Sequence, residues 1–315
     1  MFDILTIGEI LIDLTQSGIS ENGIPIYNAN PGGAPANVAV AASRLGASAA
    51  FIGKVGNDAY GEFLCETLEK NNVNTDGVVV DNSANTTLAV VSVHERGERD
   101  FAFYRKNSAD TLLSENEIID QQLGNTHILH FGSVSLTDEP SRTATLSAVR
   151  RARALGATIT YDPNYRQRLW NSEAEAVEQM KKPLPLVDIL KVSDEEILLI
   201  CETDNIEEAA RQLCKKYGIA LVLVTLGAKG AYYRFKDYDG VVPGVKVTVA
   251  DTNGAGDTFF GAFLSRMAYM NKYNPSTLSK EDIKQVLAFA NRAAAITTSR
   301  SGAIPAMPTL DEVVD

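Results

Sequence analysis

The sequence predicts an α/β protein built on a parallel sheet covered by helices on both faces, with a second, smaller sheet beside it. Three observations lead there. Short runs that are apolar throughout recur along the chain, helix-like segments alternate with them, and two early stretches break the alternation. A strand apolar on both faces belongs between two helix layers, and strands alternating with helices are joined in parallel.

The strand-like runs are 4–7, 49–55, 126–131, 158–161, 189–192 and 221–225. One helix is expected over 140–155, with Asp138 as its cap, Pro140 in its first turn and Gly156 past its end. Another is expected over 205–217, stopping at Gly218. The stretch 11–30 lacks helical periodicity. The stretch 86–105 reads as two strands, 88–93 and 100–105, around Glu95-Arg96-Gly97-Glu98. These two stretches would pair as a small sheet, either a lid over a site or an ordinary antiparallel edge. The chain is read as one domain, 1–315, with the lid at roughly 11–31 and 86–106.

Composition narrows the class. At 315 residues, 45% apolar and 22% charged, the chain can bury a large single core. No apolar run approaches the roughly 18 residues of a membrane span. Met1-Phe2-Asp3 has no basic region, so no secretory leader and no membrane association are expected. Cys65, Cys201 and Cys214 are scattered without a Cys-x-x-Cys pair, which fits a reducing, cytoplasmic setting and no structural zinc. A net charge of −11 points away from nucleic acid. It does not oppose a phosphate ligand, because backbone amides can bind an anion inside an acidic protein. His94, His127 and His130 lie in strand-like runs and read as structural, and Arg150, Arg151 and Arg153 as a solvated helix face.

The run Asp251-Thr-Asn-Gly-Ala-Gly-Asp257 carries the most chemistry. A strand over 240–250 is expected to feed it, and a helix with Phe260, Phe263, Leu264 and Met267 leaves it. Small residues let the amides of Gly254, Ala255 and Gly256 approach an anion, and the helix N-terminus adds positive partial charge. That suits the charge developing on a transferring phosphoryl group, with Asp257 as the base. The same residues would also serve as a plain helix cap and turn. A helix N-terminus should moreover weaken Asp257 as a base. Phosphoryl transfer tolerates this, because it is catalysed mainly by positioning and electrostatics. Neither a Gly-x-x-x-x-Gly-Lys-Ser/Thr run nor a Gly-x-Gly-x-x-Gly turn after the first strand is present. Near the N-terminus, Asn30-Pro-Gly-Gly-Ala-Pro-Ala-Asn37 precedes a helix of small apolar residues over 38–45. Gly32 and Gly33 would bring main-chain amides onto a sugar hydroxyl, and Asn37 offers the donor and acceptor a polyol needs. An ordinary turn before a packed helix is the other reading.

Together the two runs resemble the two signatures of the ribokinase-like (PfkB) carbohydrate kinase family, in the right order and at the expected ends of the chain. Within it the chain looks most like fructokinases, through Phe103-Tyr-Arg105, Ser108-Ala-Asp110, Asp162-Pro-Asn-Tyr-Arg166 and Lys191-Val-Ser-Asp-Glu-Glu196. The resemblance implies a ribokinase-like three-layer sandwich with a mostly parallel sheet and a β-sheet lid. It implies ATP-dependent transfer of the γ-phosphoryl group to a primary hydroxyl, with D-fructose first and 2-keto-3-deoxygluconate or aminoimidazole riboside as alternatives. A non-catalytic sugar or nucleotide sensor is the alternative of a different class. Asp13, with Gly32, Gly33 and Asn37, would hold sugar hydroxyls. Phe103 and Arg105 would reach in from the lid, and Arg166 from a strand end. Thr225, Gly227 and Gly230 match the nucleotide turn, Asn291 the adenine side, and Lys191 and Glu196 the phosphates and Mg2+. Ser193 stands where many members carry Asn. A monovalent cation, K+, is implied beside Asp251, Asn253, Thr297, Arg300 and Gly302. A homodimer through the lid is expected as well.

Overall fold

The computed structural model describes residues 1–93 and 99–314; the turn expected at Glu95–Glu98, and His94, lie outside the described residues. The first half of the chain runs β1 (Phe2–Ile7), β2 (Leu11–Ile19), β3 (Pro25–Gly32), α1 (Ala34–Arg44), β4 (Ala49–Gly56), α2 (Ala59–Lys70), β5 (Val73–Asp81), β6 (Leu88–Val93), β7 (Arg99–Tyr104), α3 (Asp120–Leu123), β8 (Thr126–Gly132) and α4 (Ser141–Ala154). It continues as β9 (Thr158–Asp162), α5 (Glu173–Lys181), β10 (Ile189–Ser193), α6 (Asp194–Cys201), α7 (Ile206–Tyr217), β11 (Leu221–Thr225), β12 (Ala231–Phe235), β13 (Tyr238–Val242), α8 (Ala255–Tyr269), α9 (Lys280–Thr298) and α10 (Leu310–Val314). No described helix is long and apolar enough to cross a membrane.

The main sheet has the order β13-β12-β11-β10-β9-β8-β1-β4-β5. From β11 to β5 every pairing is parallel, and β12 and β13 close one edge antiparallel. The apolar strands serve two cores at once, because alternate side chains leave opposite faces. Leu5, Leu129, Val222 and Val224 pack with Ala144, Ile197 and Leu213 on one side. Ile4, Ile128, Leu221 and Leu223 pack with Val38, Phe260, Phe263 and Leu287 on the other. On that second side α1 and α8 come very close: a Cβ at Gly261 would fall 2.6 Å from the Cβ of Ala41. The small residues of α1 are what allow it.

The two irregular stretches form a separate sheet, β3-β2-β6-β7, in which β2 and β6 run parallel and the other pairs antiparallel. The helix expected over 205–217 is α7, capped by Asn205 and ended by a left-handed Gly218. Three expectations need correction. Helix α1 begins at Ala34, four residues earlier than its apolar run suggested. Asp138 does not cap α4; its carboxylate instead accepts from Thr137 and Arg105. The strand expected over 240–250 ends at Val242, where Pro243 follows. Its alternating Val245, Val247 and Val249 line a cleft instead of pairing in a sheet.

Candidate active site

Three clefts meet at the turn before α8, all at the carboxyl ends of parallel strands, where open α/β sheets bind ligands. One, of about 460 Å³, is lined by Glu9, Asp13, Gly33, Asn37, Phe103, Asn164, Arg166, Asn253, Gly254 and Asp257. A second, of about 520 Å³, is lined by Thr225, Gly227, Gly230, Val245, Val247, Ala255, Gly256, Phe259 and Asn291. A third, of about 500 Å³, joins them through Asn164, Tyr165, Arg166, Lys191, Ser193, Glu196, Thr225 and Gly256.

Asp257 stands at the junction. It is the third residue of α8 and is buried. Gly254 occupies the cap position at φ 72°, a left-handed conformation that favours glycine, and makes no side-chain cap. The Asp257 carboxylate does not cap the helix either. Its Oδ2 accepts from Asn37 Nδ2 at 2.8 Å, and its Oδ1 from Asn164 Nδ2 at 3.1 Å. Burial pushes its pKa above the ordinary value, against the Asn37 hydrogen bond and the charges of Lys191 and Arg166. The sequence suggested the opposite direction from the helix terminus. Desolvation wins because the carboxylate is enclosed by other elements.

Asp13 sits in the same polar cavity, its carboxyl raised to about 6 by burial against the opposing charge of Arg166. Gly32 is not part of the cavity wall: a Cβ there would fall 2.4 Å from Asp13 Oδ2, so it gives Asp13 room. Gly33, at φ 104°, packs onto the backbone of Glu9 and starts α1. On the far side, Lys191 and Asp162 form a buried ion pair at 2.8 Å. Glu196 closes a capping box with Ser193; its Oε1 accepts from Tyr165 N at 2.6 Å and its Oε2 from Ser193 N at 2.7 Å.

The sequence model of the pfkB family carbohydrate kinases matches residues 1–310. The chain belongs to that family. Fructokinase-1 of Zea mays is 43% identical over 314 residues, covering 99% of this chain and 96% of the relative. A crystal structure described as fructokinase with bound ATP from Xylella fastidiosa matches at a TM-score of 0.91 and 34% identity, over 99% of this chain and 97% of that one. A double mutant of the Vibrio cholerae O395 fructokinase, in a fructose-, ADP- and potassium-bound form, matches at 0.88 and 33%, over 99% and 97%.

In this pfkB kinase most of the residues marked out in the sequence for sugar and nucleotide line these clefts, with Gly32 and Arg105 as exceptions. Arg105 does not line the polar cavity. Its buried guanidinium is held by Asp110 at 2.7 Å, Thr137 at 2.5 Å, Asp138 at 3.2 Å and the Val134 carbonyl at 3.0 Å. Asp110, five residues on in sequence and buried like Arg105, pairs with the guanidinium away from the cavity. Phe103, two residues earlier on the same strand, does line the cavity. Asn291 lines the second cleft, but its amide donates to the carbonyls of Val242 and Pro243, so it shapes the wall.

The turns expected around a cation come together. Asp251 accepts from Asn253 N at 3.1 Å and from Gly302 N at 3.2 Å, and Thr298 O accepts from Ala250 N and Asp251 N. Thr297 turns its hydroxyl to Thr258 at 3.0 Å, and Arg300 pairs with Glu312 at the surface. Three residues that the sequence reading did not single out individually join the site: Glu9, Asp162 and Asn164. Each is polar and lies at or just beyond the carboxyl end of a parallel strand, and that position was the available signal. Glu9 is buried, with Oε1 accepting from Ala34 N at 3.0 Å and its pKa raised to about 7 by desolvation.

Proposed function

We propose that this chain is an ATP-dependent kinase that moves the γ-phosphoryl group of ATP to the 6-hydroxyl of D-fructose, giving fructose 6-phosphate and ADP. What carries the reading is Asp257 at the meeting of the clefts: its carboxylate faces the polar cavity while Ala255 and Gly256, just before it, face the second cleft. The sugar sits among Asp13, Asn37, Gly33 and Arg166, with Phe103 covering it from the small sheet, which acts as the lid. The nucleotide lies between the Thr225–Gly230 turn and α9, near Asn291. The sugar oxygen attacks the γ-phosphorus, the bond to the bridging oxygen of ADP breaks, and Asp257 takes the hydroxyl proton. Charge on the transferring group meets the amides of Gly254, Ala255 and Gly256 and the ammonium of Lys191. A raised pKa suits Asp257 to this task, since a stronger base takes the proton more readily.

The donor sets fit the expected ions. Among the described residues no cluster of three carboxylate, His or Cys side chains could hold a metal. That agrees with an Mg2+ held mainly by phosphate oxygens and waters, with Glu196 reaching it through water because both its oxygens already accept backbone N–H groups. When bound, Mg2+ neutralises charge on the phosphates. A K+ ion suits the Asp251 carboxylate with carbonyls of Asn253 and of the loop 297–302, all oxygen donors. A homodimer through the lid and a cytoplasmic location complete the reading. Ile26 and Tyr27, exposed on the edge strand β3, and three free cysteines support them.

The keto-acid alternative loses ground with Arg105. Glu9, Asp13 and Asp257 line the cavity, so with Arg105 turned away an acidic acceptor would meet three carboxyl groups against the guanidinium groups of Arg166 and Arg168. A neutral polyol avoids that conflict. An assay of ADP release over D-fructose, ribose, 2-keto-3-deoxygluconate and aminoimidazole riboside tests the reading. Fructose is expected to give the highest kcat/KM. A keto acid better by tenfold, about 1.4 kcal/mol, would overturn the choice of sugar. No ADP release with any sugar would favour a sensor.

A further inference from the structure

Resting on that reading, we infer that Asn164 is a positioning residue for the base: it clamps the Asp257 carboxylate from the side opposite Asn37 and so aims it at the acceptor hydroxyl. Asn164 follows β9 and lines both the polar cavity and the adjoining phosphate-side cleft. Its backbone is left-handed, with φ 47°. That conformation is uncommon outside glycine, and Asn tolerates it better than most residues. Asp162 holds it there, with Oδ1 accepting from Asn164 N at 3.2 Å. The other oxygen of Asp162 is paired with Lys191 at 2.8 Å. The chain of contacts therefore runs from the Lys191 ammonium through Asp162 and Asn164 to Asp257 Oδ1.

The chemistry follows from this geometry. A carboxylate held by one donor can still rotate about its last bond. Held by amides on both oxygens, from α1 on one side and the β9 loop on the other, its plane is fixed. Its remaining lone pairs are left for the sugar proton. A donor to the ionised form also favours that form, so Asn164 keeps Asp257 able to accept a proton at lower pH than burial alone would allow. Other charges bear on the same carboxyl. They are Lys191 on β10, Arg166 in the loop after β9, Glu196 on α6, Asp162 on β9 and Asp13 on β2. None of them is altered by changing the Asn164 side chain.

Asn164→Gly is the cleanest test, because glycine keeps the left-handed backbone and removes only the amide. Fructose phosphorylation by the full-length chain is expected to lose at least about tenfold in kcat, the order of effect a misaimed catalytic group produces. KM for fructose and ATP should change little, and the acid limb of the kcat profile should move to higher pH. Asn164→Asp keeps the size and turn preference but sets a second carboxylate against Asp257, so its acid limb should move further still. A merely structural role would lower the melting temperature without moving that limb. Both variants near wild-type in kcat, or slowed with an unmoved acid limb, would overturn the inference. Asp257→Asn separates the failures. If wild type phosphorylates fructose and Asp257→Asn does not, an indifferent Asn164 sinks this inference alone; an inert wild type sinks the functional reading and this inference with it.

Discussion

Asn37 donates to Asp257 across 2.8 Å, joining residues 220 apart in the chain. The first lies on α1 and the second on α8, and the close packing of those helices at Ala41 and Gly261 brings them together. The two sequence runs that resembled separate signatures are thus halves of one site.

Asp257→Asn should therefore lose turnover while keeping the fold. General-base contributions are typically about 10²–10⁴-fold, so kcat should fall by at least the lower figure. Because burial holds the Asp257 pKa above its ordinary value, the ionised carboxylate costs stability at neutral pH. Removing that charge should leave the melting temperature unchanged or raised. Steady-state kinetics and a thermal melt on one preparation check both parts, and a variant that turns over normally excludes Asp257 as the base.

Glu9 offers a pH signature. Its carboxyl is raised from 4.5 to about 7, chiefly by burial. A carboxyl that binds its proton more tightly when folded contributes stability fully below its unfolded pKa and loses it as pH rises through the folded pKa. Glu9→Gln keeps an acceptor for Ala34 N but cannot titrate. The stability advantage of wild type over this variant should shrink steadily between pH 4.5 and about 7 and stay flat above. Denaturant unfolding at several pH values reads it; a difference independent of pH would mean that Glu9 titrates alike in the folded and unfolded chain.

Arg105→Ala tests the correction to the lid. It leaves Asp110 buried without its cation, and breaking such a pair typically costs about 3–5 kcal/mol. The variant should melt well below wild type, while KM for fructose in the folded fraction changes little. An unchanged melt with a raised KM for fructose would restore the original expectation that Arg105 reaches the sugar.

Replacing sodium by potassium at constant ionic strength should raise activity. Asp251 ties the anion-binding turn to the loop at Gly302, and an ion there would order that turn without touching the sugar. Asp251→Asn should abolish the difference between the two salts. Equal activity of wild type in both would leave Asp251 with a purely structural task.

The sequence by itself determined the layered fold and the chemistry-bearing turns. Runs such as 189–192 and 221–225 are apolar on both faces because they feed two cores, and that pattern survives in one dimension. The turn at Gly254–Asp257 is equally legible, since its conformation depends on the small residues within it. Whatever depended on partners far along the chain was decided only by the tertiary structure. Val245, Val247 and Val249 alternate like a strand, yet the strand ends at Val242 and they wall a cleft. Arg105 lies outside the polar cavity because Asp110, Thr137 and Val134 converge on it. The Asp257 carboxyl is raised where its helix position suggests a lowering, because burial outweighs the helix terminus. Local backbone preference and periodicity are written in neighbouring residues; desolvation and side-chain pairing are written in residues that meet only when the chain has folded.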